Sequence, residues 1–174
     1  MRHFLRRFWL FRPRDVLPSE EFFARFPKKL NLGCGRDYRD GWENWDYSAS
    51  VKADVHLDIA RDVFPSDDKT FDLLYVNGVI EQIASHEGLV HALNECHRVL
   101  TDEGVAIFIL PNSHFPLTFH DPHDIRHFVP ETFRYFSAGT KSYERYGKFY
   151  GYKPWRSFQA RTDKRGLMSV VLTK

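Results

Sequence analysis

A hydrophobic strand that runs directly into a Gly-x-Gly turn most constrains the fold of this chain. The stretch is Leu30-Asn-Leu-Gly-Cys-Gly35, where glycine allows a tight turn and leaves no Cβ between backbone and ligand. A helix with apolar residues at 3.6-residue spacing follows at residues 89–100. Because strands and helical stretches alternate, the sequence predicts a mostly parallel sheet of the α/β class. The other strand candidates of this part are residues 44–47, 53–58, 71–77 and 105–110.

The C-terminal third of the chain predicts a different arrangement. Gly104 is expected to end the helix as a cap or turn, and residues 130–136 predict a short helix that begins at a proline. Residues 152–161 and 167–173 have the character of strands, and the polar stretch between them is typical of a turn. The chain is therefore expected to end in an antiparallel hairpin.

The net charge of +2 conceals an uneven distribution of charge. Residues 1–29 carry +5, residues 30–121 carry −10, and residues 122–174 carry +7. This pattern excludes a nucleic-acid-binding protein that is positively charged over its whole surface. It also predicts that the acidic middle region and the basic C-terminal region have different functions. Two cysteines make no disulfide framework, which favours a reducing, cytoplasmic setting. No apolar run approaches the length of a membrane-spanning helix.

The N-terminal arm, residues 1–28, is basic and aromatic. Arginines interrupt the apolar residues of its first half, so the hydrophobic stretch of a signal peptide is missing. Two interpretations stay open for residues 1–14: an arm packed on the domain, or an interfacial segment that contacts a membrane surface.

Two carboxylates are expected at the ends of consecutive strands. Asp46 ends the second strand, where a carboxylate can accept hydrogen bonds from both hydroxyls of a ribose. Asp58 ends the third strand, where its carboxylate or the next N–H can contact the edge of an adenine. The glycine turn does not match a dinucleotide fingerprint, because the third glycine would fall at Tyr38, and no Gly-Lys-Ser/Thr follows. The two carboxylates of residues 36–40 argue against a phosphate and leave room for a cationic ligand.

These elements together resemble the class I S-adenosylmethionine-dependent methyltransferases, and most closely their small bacterial branch associated with glycan and small-molecule methylation. The resemblance covers residues 29–112, about half of the chain. It rests on Leu30-Asn-Leu-Gly-Cys-Gly35, Gly41-Trp-x-Asn44-x-Asp46, Ala53-Asp-Val-x-Leu-Asp58, Phe71-Asp-x-x-Tyr75 and Glu95-x-x-Arg98-Val-Leu-x-x-x-Gly104.

The resemblance implies a Rossmann-like seven-stranded sheet, mostly parallel with a C-terminal antiparallel hairpin, and S-adenosyl-L-methionine as cofactor. Residues 29–174 would form the methyltransferase domain, with a cofactor half at 29–112 and a substrate cap at 113–174. The implied cofactor contacts are Asn31, Gly33, Cys34, Gly35, Asp46, Tyr47, Asp58, Ile59, Asn77 and Gly78.

Three positions depart from the family pattern. Asn31 stands where the family carries an acidic residue, so any contact with the cofactor's ammonium group would lack a charge. Only ten residues separate Gly35 from Asp46, which is short for a crossover that contains a full helix. Glu81-Gln82 replaces the usual Glu-His pair after the fourth strand, which questions a catalytic role at that position.

Histidines concentrate in residues 114–128, directly after the fifth strand. Methyl transfer to oxygen or nitrogen requires an aligned nucleophile and, for many acceptors, a base. The predicted catalytic residues are His120 and His123, with Asp121 or Asp124 as the orienting partner.

Other interpretations of the histidine loop stay open. The histidines could instead hold the loop together by hydrogen bonds, or His120, His123 and His127 could converge on a metal ion, although no metal is predicted because no thiolate cluster supports one. Arg126 is expected to bind an anionic or hydroxyl-rich substrate.

The sequence thus predicts methyl transfer to an oxygen or nitrogen of a small molecule, sugar or glycolipid precursor, with an anionic acceptor as the first class to test. Two alternatives are a cofactor-binding module that has lost catalysis or activates a partner, and an RNA methyltransferase. Binding of nucleic acid is not the expectation, although the basic C-terminal third would suit it.

Overall fold

The structure is a computed structural model that describes residues 16–174. Residues 1–14, for which a packed arm and a membrane-contacting segment were both left open, lie outside the described residues. A one-turn helix, α1 (Glu20–Phe23), comes first, and its N-cap Ser19 accepts a hydrogen bond from the Phe22 N–H at 3.2 Å. Within residues 16–174, no helix has both the length and the apolar character needed to cross a membrane.

Seven strands form one mixed sheet, and its topology confirms the predicted fold class. The strands are β1 (Lys29–Leu32), β2 (Glu43–Asp46), β3 (Val55–His56), β4 (Phe71–Asn77), β5 (Leu100–Pro111), β6 (Ser157–Thr162) and β7 (Leu167–Thr173). Their order across the sheet is β3-β2-β1-β4-β5-β7-β6. The first five pair in parallel, whereas β7 runs antiparallel between β5 and β6.

The register of the parallel strands brings their carboxyl ends to one edge. Leu32, the last residue of β1, pairs with Trp45 of β2 on one side and Val76 of β4 on the other. The residues that follow these strands therefore emerge next to one another. In open α/β sheets this is the edge at which ligands bind.

The long helix α2 (His86–Val99) connects β4 to β5 and covers one face of the sheet. Its N-cap Ser85 accepts a hydrogen bond from the Gly88 N–H at 2.9 Å. The predicted periodicity is confirmed, because the buried side chains of the helix include Leu89, Ala92, Leu93, Cys96 and Val99.

The predicted end of this helix is wrong. The helix ends at Val99 and β5 begins at once, so Gly104 lies within the strand rather than in a helix cap. The pairing of β4 with β5 shifts register between Phe71 and Leu73, and the extra residues of β5 form an irregularity there. Glycine is favoured because a Cβ on Gly104 would lie 2.9 Å from the Thr101 carbonyl oxygen.

The crossover between β1 and β2 contains no helix. Residues 33–42 join β1 to β2 as a loop, in accord with their short length. Aromatic side chains from α1 and this loop cover the sheet instead: Phe23 packs edge-on against Trp42 at 4.9 Å and against Tyr75 of β4 at 5.4 Å between ring centroids. Phe22 and Phe26 extend this cluster.

The C-terminal third caps the sheet before it supplies the hairpin. Short 3-10 helices span Pro116–Phe119 and Pro130–Tyr135, and a π-helical turn at Tyr143–Gly147 continues into α3 (Lys148–Tyr150). The antiparallel hairpin of β6 and β7 is confirmed, but β6 starts at Ser157 rather than at residue 152. The residues just before it are held elsewhere, since the Trp155 N–H donates to the Phe136 carbonyl at 2.9 Å.

Candidate functional site

The glycine turn after β1 has one tightly packed position and one open position. Gly33 and Gly35 both have positive φ, at 70° and 52°, which favours glycine. A Cβ on Gly33 would overlap Cγ2 of Val79, whereas a Cβ on Gly35 would meet nothing within 4 Å. The first glycine therefore allows the turn to pack against the loop after β4, and the second leaves its backbone open to a ligand.

Asp46 is held between this turn and the end of its own strand. Its Oδ2 accepts a hydrogen bond from the Gly35 N–H at 2.7 Å, and its Oδ1 accepts one from the Ser48 N–H at 2.8 Å. A carboxylate has about four acceptor sites, so both oxygens can accept further donors. Tyr47 follows directly and its side chain is 76% exposed at the same edge.

Asp58 and Ile59 follow β3 in a tight turn. The Asp58 carboxylate accepts a hydrogen bond from the Ala60 N–H at 2.9 Å, and its Oδ2 lies 3.6 Å from Nε of Arg61. Ile59 is buried in the main core beside this turn. Asp58 thus organises the turn, and its predicted contact with an adenine stays a prediction.

Asn31 and Cys34 are both buried. The Asn31 amide nitrogen donates to the Asp37 carbonyl at 2.6 Å and to Oδ1 of Asn44 at 3.2 Å, so it supports the loop that joins β1 to β2. Burial, followed by the charge of Asp46, raises the pKa of the Cys34 thiol. A protonated thiol is a poor nucleophile, which agrees with a small packing residue in the turn.

The end of β4 lies beside the glycine turn. Asn77 and Gly78 are exposed there, and the Gly78 N–H donates to the Ile109 carbonyl of β5 at 2.9 Å. The chain then forms a 3-10 turn at Ile80–Gln82 whose central carboxylate, that of Glu81, is buried.

The histidine loop is tied to this turn by main-chain hydrogen bonds. The carbonyl of Glu81 accepts from the N–H of Ile125 at 3.1 Å and of Arg126 at 2.9 Å. The predicted loop after β5 therefore does adjoin the end of β4. Burial above all, and then the charge of Asp124, raises the pKa of the Glu81 carboxyl.

The two predicted catalytic histidines lie on the outer side of this loop. His120 is exposed, and the side chain of His123 is 82% exposed. His123 has the predicted orienting partner: its Nδ1 lies 3.2 Å from Oδ1 of Asp121. His127 instead contacts Oγ1 of Thr118 at 3.2 Å. Residues 16–174 contain no group of three or more His, Cys, Asp or Glu side chains arranged to hold a metal ion.

Arg126 holds the segment between β4 and α2. Its Nε donates to the Ile83 carbonyl and its Nη2 donates to the Ala84 carbonyl at 3.0 Å, while Nη1 lies 3.4 Å from Nδ1 of His86. These contacts were not predicted, because the partners of Arg126 are some 43 residues away in sequence. The expected contact of Arg126 with a substrate stays a prediction.

Two adjoining cavities lie between α2 and the C-terminal cap. One, of about 690 Å³, is lined by His86, Glu87, Val90, His91, Tyr150 and Tyr152. The other, of about 500 Å³, shares the two tyrosines and extends to Arg126, His127 and Tyr135. Tyr135, Tyr146 and Tyr150 are stacked, with interplanar angles of 14° to 28°. The sequence analysis did not predict this stacking.

Comparisons with known proteins agree with this geometry. Residues 40–108 match a family model described as a methyltransferase domain. A methyltransferase from Archaeoglobus fulgidus is similar in structure, with a TM-score of 0.65 at 14% identity over 88% of this chain and 90% of that one. One from Methanosarcina mazei gives a TM-score of 0.56 at 11% identity, over 91% of this chain and 99% of that one. No curated protein matches the sequence significantly.

A complex of human N-acetylserotonin methyltransferase with S-adenosylmethionine is also similar, with a TM-score of 0.51 at 14% identity over 87% of this chain and 48% of that one. At such identities the structural likeness establishes the fold alone. The chain therefore has the fold of S-adenosylmethionine-dependent methyltransferases, and residues 40–108 match the methyltransferase-domain model.

Proposed function

We propose that this chain is a methyltransferase that uses S-adenosyl-L-methionine and acts on an oxygen or nitrogen of a small molecule, sugar or glycolipid precursor. The observation that carries the cofactor half of the proposal is the Asp46 carboxylate, held by the Gly35 N–H at 2.7 Å beside a backbone that no side chain covers. This arrangement offers acceptors for ribose hydroxyls and open space above the turn.

The residues at the carboxyl edge fit the cofactor well. Gly33, Cys34 and Gly35 would pass beneath its methionine part, while Asp46 and Tyr47 would line the ribose. A bare turn and several carboxylates suit a cationic ligand better than a phosphate. When bound, the cofactor supplies a methyl group on a positively charged sulfur, and the departing thioether is neutral. Five further residues complete the proposed contact set: Asn31, Asp58, Ile59, Asn77 and Gly78.

The cavities between α2 and the cap support a small, ring-bearing acceptor. Volumes of about 690 and 500 Å³ lie within the range of small-molecule sites. Tyr150 and Tyr152 line both cavities and offer aromatic faces on which a sugar or aromatic ring can pack. The charge of +7 on residues 122–174 favours an anionic acceptor.

His120 and His123 stay candidate bases. Both belong to the loop that adjoins the end of β4, and the pairing of His123 with Asp121 would orient its ring. Turnover of the cofactor with added acceptors separates this enzyme from a cofactor-binding module that lacks catalysis. Two unpaired cysteines favour a reducing compartment such as the cytoplasm.

The cofactor assignment is tested by replacing Asp46. Asp46→Ala should weaken binding of S-adenosylhomocysteine roughly tenfold or more in calorimetry, because it removes charged acceptors from the ribose. Asp40→Ala is the matched control, since Asp40 is an exposed carboxylate of the preceding loop. Equal affinities of the two variants would remove the ribose assignment.

A further inference from the structure

The turn after β4 buries a carboxylate that the cofactor contacts do not explain. Glu81 is 2% exposed, and its Oε2 has no hydrogen-bond partner. Among the side chains described, this is the one buried polar atom left in that state. Because an unpartnered buried carboxylate is costly, its presence calls for a functional explanation.

The Glu81 carboxylate lies next to the proposed methyl-transfer side of the cofactor site. Its Oε1 is 4.0 Å from the position that a Cβ on Gly78 would occupy, and Gly78 is exposed at the carboxyl end of β4. A Cβ at residue 78 would therefore be in van der Waals contact with this carboxylate. The main chain of Glu81 is fixed at the same time, because its carbonyl accepts two hydrogen bonds from the histidine loop.

The charges that face Glu81 favour its protonated form. Burial raises the pKa of Glu81 to about 7, and the carboxylates of Asp124 and Asp121 act in the same direction. The N–H groups of Glu81 itself and of Val79 oppose this in part. The guanidinium of Arg126 engages carbonyl groups of the adjoining segment. A group that titrates near neutral pH is well matched to proton transfer.

We propose that Glu81 is the catalytic residue that takes the proton from the acceptor's hydroxyl or amine. This inference rests on the proposed methyltransferase function. As the acceptor oxygen or nitrogen bonds to the methyl carbon, the carbon–sulfur bond breaks with its electron pair passing to sulfur. The proton of the acceptor moves to Oε1 of Glu81, the carboxylate oxygen nearest to Gly78, from which it later returns to solvent. The base is thus shielded from water, unlike the largely exposed His123.

Binding of two cofactor analogues tests the position and charge of Glu81 without an acceptor. Sinefungin carries a protonated amine where the cofactor carries its methyl-bearing sulfur, whereas S-adenosylhomocysteine is neutral there. In calorimetry, Glu81→Gln should weaken sinefungin binding about tenfold and change S-adenosylhomocysteine binding less than about twofold. Wild-type affinity for sinefungin should rise with pH through about 7, as Glu81 loses its proton. Glu131→Gln, which changes an exposed carboxylate, should match the wild type.

The two proposals fail in different ways. If neither analogue binds the wild type, the cofactor function itself is refuted. If both bind equally well to the wild type and to Glu81→Gln, the cofactor function stands and the role of Glu81 is overturned.

Turnover provides the second readout. With a panel of sugar phosphates and aromatic amines, release of S-adenosylhomocysteine should fall about a hundredfold in Glu81→Gln for each acceptor that the wild type methylates. Full activity of this variant, or loss of activity in His123→Ala alone, overturns the proposal. If the panel contains no acceptor, the two binding measurements decide.

Discussion

A buried carboxylate with a raised pKa must lower the stability of the folded protein at alkaline pH. We expect the replacement Glu81→Gln to remove this dependence, because glutamine keeps the shape of the side chain and cannot ionise. The effect depends on the surroundings of Glu81 in the folded chain, chiefly on its burial, so it tests the structure independently of any cofactor or acceptor.

The size of the effect follows from the two pKa values. Glu81 has a pKa of about 7 in the folded chain against an ordinary value of 4.5, so the folded state binds the proton more tightly. The free energy of unfolding therefore falls as pH rises through this window, by about 3 kcal/mol in full. Most of this loss, about 2–3 kcal/mol, develops between about pH 5 and about pH 8.

Urea denaturation of the wild type and Glu81→Gln at these two pH values measures the effect. The difference between the proteins should move by about 2–3 kcal/mol in favour of the variant at the higher pH, whereas Glu131→Gln should track the wild type. Taking the difference cancels the other titrating groups that both proteins share. A gap that is the same at both pH values would show that Glu81 ionises normally and would refute the reasoning.

Three other predictions concern packing, an ion-pair cluster and a buried imidazole. In urea denaturation, Gly33→Ala should cost about 2 kcal/mol or more, because its methyl group meets the loop after β4 at a positive φ; Gly41→Ala, at positive φ in open space, should cost about 1 kcal/mol. Arg98→Ala should cost about 2–3 kcal/mol, since its guanidinium donates to two carboxylates and two carbonyls, whereas the exposed Arg165→Ala should cost less than about 1 kcal/mol. Burial lowers the pKa of His97 to about 4, so the native state loses stability as pH falls from about 6.5 towards 4, and His97→Gln should flatten that loss in acid-denaturation curves.

The elements that the sequence predicted correctly are those specified by local pattern. The strands, the long helix and the terminal hairpin each carry a periodicity or a turn signal within their own residues. The end of α2 was missed because a glycine after a helix is a local cap signal, whereas Gly104 belongs to an irregularity set by pairing with β4. The start of β6 was missed because Trp155 is bound to Phe136, a residue far away in sequence.

The residues of the candidate site also fall into a group that local pattern predicts and a group that it does not. The glycine turn and Asp46 were predicted together because both follow directly from strand ends, and the structure joins them by a hydrogen bond. The roles of Glu81 and Arg126 were not predicted, since they arise where two segments more than forty residues apart meet. Burial and orphaned polar atoms of this kind leave no mark on a single sequence.

Two departures from the family pattern have one physical cause. The short crossover after β1 has no helix, so its own side chains must cover the sheet: the Arg39 guanidinium lies 4.8 to 5.1 Å from the ring centroids of Phe23, Trp42 and Tyr75.

The same loop passes over Asn31, which donates to the Asp37 carbonyl and to Oδ1 of Asn44. Both partners are acceptors, because the Asn44 amide nitrogen is itself donating to the Arg39 and Trp42 carbonyls. The ionised carboxylate that the family carries at this position has no proton to donate. It would also place a negative charge next to the two buried acceptor oxygens, which is unfavourable. An amide at residue 31 therefore suits this helix-free crossover, because it donates to both oxygens.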